Sequence, residues 1–289
     1  MAGVLSQKEA QILKIALAQI SSYLGNVKAN FEKHLENVNR AIAERADVIV
    51  FPELSLTGYL LKDLAYELAE PSMRELRRLA EHSGEIAIII GFIEEWRRGI
   101  YRNSMAILSG GSLRAVVPNL YLPTYGLFEE KRYFKEGDVG DLRIIKLSSA
   151  NVGIVICEDA WHPEPIEALS RLGADIIFVT AGSPARAFYE TPTGKLPIQD
   201  SWEKTICTRA LENNVFVAFI NKAGGEDEEF FWGGSMLASP FGVIVAQAKL
   251  MDEDLLFYDV DLNEITRARR FSSFRDHRRE LHDLLAKLP

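Results

Sequence analysis

The chain has 289 residues, 47% hydrophobic and 26% charged, the balance of an ordinary globular protein able to bury a large core. A net charge of −8 with scattered basic residues argues against a nucleic-acid or anionic-membrane surface. No apolar run approaches the roughly 20 residues a bilayer requires, Met1–Gln11 lacks the pattern of a signal peptide, and two cysteines make no disulfide framework, so a cytoplasmic protein is expected.

Strand and helix signals alternate along the chain. Lys14–Ile20 reads as a buried strand. Val27–Glu44 reads as a helix, with Phe31, Leu35, Val38 and Ile42 at helical spacing. Val48–Phe51 is a second strand, Ser72–Ser83 a helix, and Ile86–Ile90 a strand. Tyr101–Leu108 and Ser112–Val117 flank Gly110–Gly111, a hairpin signal. The second half alternates in the same way, with strands at Ile144–Leu147 and Val152–Cys157, a helix at Pro165–Leu172, and a strand at Ile176–Thr180. A helix at Ser201–Asn213 and a strand at Val215–Asn221 follow. Ser235–Ser239 and Val243–Gln247 flank Pro240–Gly242, another hairpin, and Leu255–Val260 is the last strand. No linker divides the two similar halves, so one α/β domain is expected, with two facing sheets and helices outside.

Two residues share a setting that suits chemistry. Cys157 ends a buried apolar strand where acidic residues begin, and Glu53 follows a buried strand directly, after Pro52. Local context alone also allows a small buried hydrophobe and an ordinary loop acid. Their matching places in the two halves would bring both side chains to one cleft if the halves pack symmetrically.

Four segments resemble the nitrilase superfamily of carbon–nitrogen hydrolases. Phe51-Pro-Glu-Leu-Ser-Leu-Thr-Gly-Tyr59 looks like its first signature and Ile156-Cys-Glu-Asp-Ala-Trp161 like its cysteine signature. Leu122-Pro-Thr-Tyr-Gly-Leu-Phe-Glu-Glu-Lys-Arg-Tyr-Phe134, and Asn221-Lys-Ala-Gly-Gly225 with Gly233-Gly-Ser235, extend the likeness from about Lys14 to Tyr258. The strongest likeness is to the glutamine-hydrolysing domain of NAD synthetases. The resemblance implies a four-layer αββα sandwich, often paired with a second copy, so a homodimer or higher homo-oligomer is expected. It implies residues 1–13 as an N-terminal extension, 14–262 as the hydrolase domain, and 263–289 as a helical tail suited to oligomer contact. It implies Cys157 as nucleophile, Glu53 as general base, Glu130 as a second glutamate, and Tyr125 and Ser183 as substrate-pocket residues. As isolated residues, Glu130 also allows a reading as a loop salt-bridge acid, and Tyr125 reads equally as core packing.

One position departs from the pattern. The family lysine falls at Asn119, and no lysine occurs between Glu95 and Lys131. An amide still donates a hydrogen bond but supplies no positive charge to an oxyanion or a thiolate. Three readings are open: a weak or inactive scaffold, a replaced lysine in an otherwise active enzyme, or Lys131, Arg132 or Lys135 reaching in from the same loop.

Other signals are weak. Cys207 lies in a helical stretch and reads as core. His34, His82, His162, His277 and His282 show no metal spacing, His162 reads as solvent-facing, and no phosphate-cradling loop occurs, so neither metal nor other cofactor is expected. Gly224–Gly225 and Gly233–Gly234 read as turns. Arg267, Arg269, Arg270, Arg275, Arg278 and Arg279 read as a solvated or interface helix. The expected activity is hydrolysis of a small-molecule amide with ammonia release. A catalytically dead binding or assembly subunit, or a nitrilase proper, are the alternatives. The chain stops before an ATP-pyrophosphatase domain, so it is expected not to make NAD alone but to feed a separate ammonia-using synthetase.

Overall fold

The computed structural model describes residues 11–186, 191–192, 194–272 and 286. The first half runs β1 (Ile12–Gln19), α1 (Val27–Ala43), β2 (Val48–Val50), α2 (Ala65–Ala80), β3 (Ala87–Arg97), β4 (Ile100–Ser109), β5 (Ser112–Pro118) and the short α3 (Glu130–Tyr133). The second runs β6 (Ile145–Leu147), β7 (Ala150–Ile156), α4 (Pro163–Leu172), β8 (Ile176–Ala181), α5 (Pro197–Asn213) and β9 (Phe216–Asn221). It continues through β10 (Ala223–Glu226), β11 (Glu229–Trp232), β12 (Met236–Ala238), β13 (Ile244–Gln247), β14 (Asp254–Asp261) and α6 (Asn263–Phe271).

Two six-stranded sheets result, ordered β14-β1-β2-β3-β4-β5 and β13-β12-β9-β8-β7-β6. Each has a parallel centre, β1-β2-β3 in one and β7-β8-β9 in the other, extended by antiparallel strands at the edges. Side-chain alternation explains the layering. In β1, Leu13, Ile15 and Leu17 pack into a cluster with Val152, Ile154, Ile177 and Val179 of the second sheet. Ala16 and Ala18, pointing the other way, pack with Phe31 and Val38 of α1 and Leu76 and Leu79 of α2. On the second sheet α4 contributes Ile166 and Leu169, and α5 contributes Trp202 and Ile206. The order of layers is therefore helix, sheet, sheet, helix, as expected.

The structure differs from the sequence expectations in several places. α2 starts at Ala65 rather than Ser72 and carries Pro71 inside it. Pro71 forfeits one helical hydrogen bond, while Ala65, Ala69, Ser72, Leu76 and Leu79 bury a continuous stripe. β3 continues past Ile90 to Arg97 because it pairs with β4 as far as Ile100. Cys157 is not in the strand; it opens a tight turn, Cys157–Trp161. Gly224–Gly225 lie in β10 and pair with Phe231 and Phe230, so they are strand and not turn. Gly233–Gly234 do follow β11 with positive φ.

β1 begins at Ile12, inside the expected extension, and α6 buries Ile265 and Ala268 in the expected tail. Residues 1–10 and Arg275, Arg278, Arg279, His277 and His282 lie outside the described residues. Among the described residues no helix is long and apolar enough to cross a membrane.

Candidate active site

Glu53 sits just beyond the C-terminal end of β2 and is fully buried. Its Oε1 accepts from Asn103 Nδ2 at 2.6 Å and its Oε2 from the Gly182 N–H at 2.8 Å. The chain here lies directly on β3. A Cβ on Gly91 would stand 2.3 Å from Leu54 N and 2.6 Å from Pro52 O, so only glycine permits the approach.

Cys157 sits at the matching end of β7, 7% exposed, with φ of +40°. A non-glycine residue in that region stores strain, which structures keep chiefly where aim matters. The turn is pinned by Asp159: Oδ2 accepts from Ile156 N at 2.9 Å, and Oδ1 accepts from Leu120 N and Tyr121 N at 3.0 and 2.9 Å. One buried carboxylate thus ties the cysteine turn to the segment that follows β5 and carries Asn119. The Glu53 carboxylate and the Gly182 backbone both bear on the protonation of the Cys157 thiol. The two strand tips therefore converge.

Glu130, at the start of α3, is buried beside them. Its Oε1 accepts from the Tyr59 hydroxyl at 2.5 Å, and its Oε2 is 3.4 Å from Asn103 Nδ2 and 3.5 Å from Asn119 Nδ2. Asn103 thus bridges both glutamates. Asn119 is 1% exposed, held by its backbone to Asn103 and Gly137, and its Oδ1 has no hydrogen-bond partner.

The electrostatics follow from burial of like charges. Burial, then Glu130, pushes Glu53 well above the usual carboxylate range, while Asn103, Gly182 and Cys157 pull it back. Glu130 is raised to about 7 by burial, against the pull of Tyr59 and Asn103. Burial, then Glu53, Glu130 and Glu158, pushes the Cys157 thiol up. Lys131, Arg132 and Lys135 are exposed; Arg132 lies 3.9 Å from Glu129, and Lys135 pairs with Glu136 at 2.8 Å. They do not replace the lysine missing at 119.

A cavity of about 110 Å³ opens on Cys157, walled by Tyr125, Phe128, Glu158, Trp161, Ser183, Arg186 and Trp202 among others. Tyr125, 56% exposed, donates to Glu158 Oε2 at 2.7 Å. The Ser183 Oγ accepts from Trp202 Nε1 at 2.9 Å and lies 3.4 Å from Trp232 Nε1. All six residues singled out in the sequence thus gather around one cavity or its carboxylates. Sequence reasoning missed Asn103, Asp159, Glu158 and Arg186. Asn103 did carry a signal, since Asn103-Ser104 is a polar interruption within an apolar strand. Of the remaining candidates, Cys207 packs partly buried against the core, and His162, 40% exposed, stacks on Tyr121 with ring centroids 3.9 Å apart.

A thiol and a carboxylate facing each other at the tips of two packed sheets define a layered α/β protein of the nitrilase type. The chain belongs to the carbon-nitrogen hydrolase family, whose profile matches residues 14–270. It is 33% identical over 258 residues to the glutamine-dependent NAD(+) synthetase of Thermotoga maritima, covering 87% of this chain and 42% of that protein. The solved glutamine-dependent NAD+ synthetase of Acinetobacter baumannii is 30% identical, with a TM-score of 0.81 over 88% of this chain and 47% of that one. The chain thus spans less than half the length of these relatives. A carbon-nitrogen hydrolase from Helicobacter pylori shares the fold along almost its full length, with a TM-score of 0.84, 24% identity and coverage of 96% and 99%. An amidase of Nesterenkonia AN1 does likewise, with a TM-score of 0.79, 21% identity and coverage of 97% and 99%.

Proposed function

We propose that this chain hydrolyses the side-chain amide of glutamine, or a similar small amide, through a Cys157 thioester. The observation that carries the reading is a fully buried Glu53 carboxylate beside the Cys157 thiol, which itself lines an open cavity. Glu53 takes the thiol proton as sulfur attacks the amide carbon. The tetrahedral intermediate collapses to a thioester as Glu53 returns the proton to the leaving nitrogen, which departs as ammonia. Water, deprotonated by Glu53, then releases the acid and restores the thiol. Asn119 and the backbone near the thiol are the available donors to the oxyanion. Glu130 orients Tyr59, Asn103 and Asn119.

Glutamine is favoured because the cavity wall presents opposite charges, Glu158 with Tyr125 and, separately, Arg186. An α-ammonium and an α-carboxylate would find complementary partners there. The released ammonia would pass to an ammonia-using synthetase, a cytoplasmic setting would keep the thiol reduced, and pairing with a second copy is part of the same proposal. The absence of a cation at position 119 favours a second reading, a binding subunit that keeps the pocket without turnover.

Ammonia release from glutamine and from a panel of amides and nitriles separates the two. The hydrolase reading expects release that Cys157→Ala abolishes and that Asn119→Lys raises by roughly 100-fold, the scale of one oxyanion donor. No release from either the native chain or the Asn119→Lys variant would leave the binding reading standing.

A further inference from the structure

Ser183 lies two residues past the end of β8, directly after Gly182, and is 4% exposed. Its backbone is fully engaged. The N–H donates to Asn221 Oδ1 at 2.8 Å, and the carbonyl accepts from Asn221 Nδ2 at 3.2 Å. Pro184 pairs with Phe231, and the Ala185 N–H donates to Phe230 O at 2.6 Å, so the following residues are tied to β11. The side chain is held from two sides. Two buried indoles, Trp202 of α5 and Trp232 at the end of β11, both direct their N–H groups at Ser183 Oγ, at 2.9 and 3.4 Å. Both rings stack on Phe219 of β9, with centroids 4.5 and 5.8 Å from it, which fixes the direction of each N–H.

A hydroxyl oxygen carries one proton and two lone pairs, whereas an indole N–H only donates. With an indole on each lone pair, Ser183 Oγ has no capacity left to accept, and its proton is the one free valence. Among the described residues no acceptor takes that proton. Ser183 and Trp202 line the cavity that holds Cys157. A serine in such a wall ordinarily serves as donor or acceptor by turning its hydroxyl; here the tryptophans leave only donation. Arg186 of the same cavity also only donates, and an ionised Glu158 only accepts.

We propose that Trp202 and Trp232 are positioning residues that make the Ser183 hydroxyl a fixed donor into the Cys157 cavity and so select an amide that carries a carboxylate. This deepens the glutamine reading and rests on it for the ligand. A carboxylate oxygen accepts and never donates, so it matches a hydroxyl that cannot accept. An ammonium only donates and is refused at that point, which gives the substrate one orientation in the cavity.

Two fragments of glutamine separate these groups. Glutaramate keeps the amide and the carboxylate without the amine; 4-aminobutanamide keeps the amide and the amine without the carboxylate. Calorimetry measures the binding of each to the Cys157→Ala protein, where turnover plays no part. Adding Ser183→Ala should weaken glutaramate roughly tenfold, the scale of one hydrogen bond to a charged group, and leave 4-aminobutanamide within about twofold. Trp232→Phe keeps a ring against Phe219 but removes the N–H and frees a lone pair. It should weaken glutaramate by about threefold or more without weakening 4-aminobutanamide. Combined with Ser183→Ala, it should add nothing for either fragment. A tryptophan that serves packing alone would weaken both fragments alike or add its effect to that of Ser183→Ala. Either result, or unaltered glutaramate binding in folded Trp232→Phe, overturns the proposal. Should Trp232→Phe fail to fold, Trp202→Phe decides by the same comparison. If neither fragment nor glutamine binds, the glutamine reading falls and this proposal with it. The expected discrimination in a chain that releases no ammonia would remove the hydrolase reading alone and leave the role of the tryptophans standing.

Discussion

Asn103 is the residue on which two buried carboxylates lean. Its single amide nitrogen lies 2.6 Å from Glu53 and 3.4 Å from Glu130, and its own Oδ1 has no partner to lose. Hydrogen bonds to charged groups contribute about 1.5–3 kcal/mol, and here they favour the ionised carboxylates. Asn103→Leu keeps the volume and removes the donor. It should slow Cys157 alkylation at neutral pH by roughly 10- to 100-fold, by leaving Glu53 protonated over more of the pH range. The melting temperature should change little. Unaltered alkylation would mean that Gly182 alone is enough to hold Glu53 ionised.

At the scale of elements, the site depends on how closely the tip of β2 lies against β3. Gly91→Ala would drive a Cβ into backbone atoms of Pro52 and Leu54 that cannot swing aside. We expect a loss of about 1–3 kcal/mol in denaturant unfolding, and a Cys157 whose alkylation rate no longer depends on Glu53. An unchanged unfolding midpoint would refute the close-contact account. This same contact marks the boundary of what sequence can reveal. The apolar runs that became β2, β7, β8 and β9 were legible, because strands buried on both faces are nearly continuous in apolar residues. The far half of β3 was not, since Glu94, Glu95 and Trp96 carry no apolar run and are held by pairing with β4. The β10–β11 hairpin hid behind Gly224–Gly225 for the same reason. Glu53 and Cys157 could be read as a pair from the symmetry of the halves. The roles of Asn103 and Asp159 could not: Asn103 shows only as a polar break in its strand, with its carboxylate partners 50 and 27 residues away, and Asp159 ties its turn to backbone 39 and 38 residues away.

For the molecule as a whole, buried ionisable groups set the response to pH. His34 is fully buried between Asn30 O and Ser55 Oγ, and burial lowers it to about 4. In the unfolded chain it takes a proton near its ordinary value of 6.5. Its contribution to stability is therefore complete above that value and is lost as pH falls toward 4. Glu130 and Asp159 act in the opposite sense. Burial raises each to about 7, so their contribution is complete below the ordinary carboxylate range and is lost as pH rises to 7. The two tendencies oppose each other below about 6.5; above it His34 adds no further change while these two carboxylates still titrate. Glu130→Gln removes one carboxylate from that balance while keeping an acceptor for Tyr59. Its stability relative to the native chain should therefore grow as pH is raised from about 5 to about 8, by up to roughly 3 kcal/mol for a displacement of about 2.5 pH units. Urea midpoints of both proteins at several pH values measure the difference. A gap that stays constant across that range would show that Glu130 ionises as readily inside the fold as outside it, and the crowding of carboxylates around Cys157 would then carry no energetic weight.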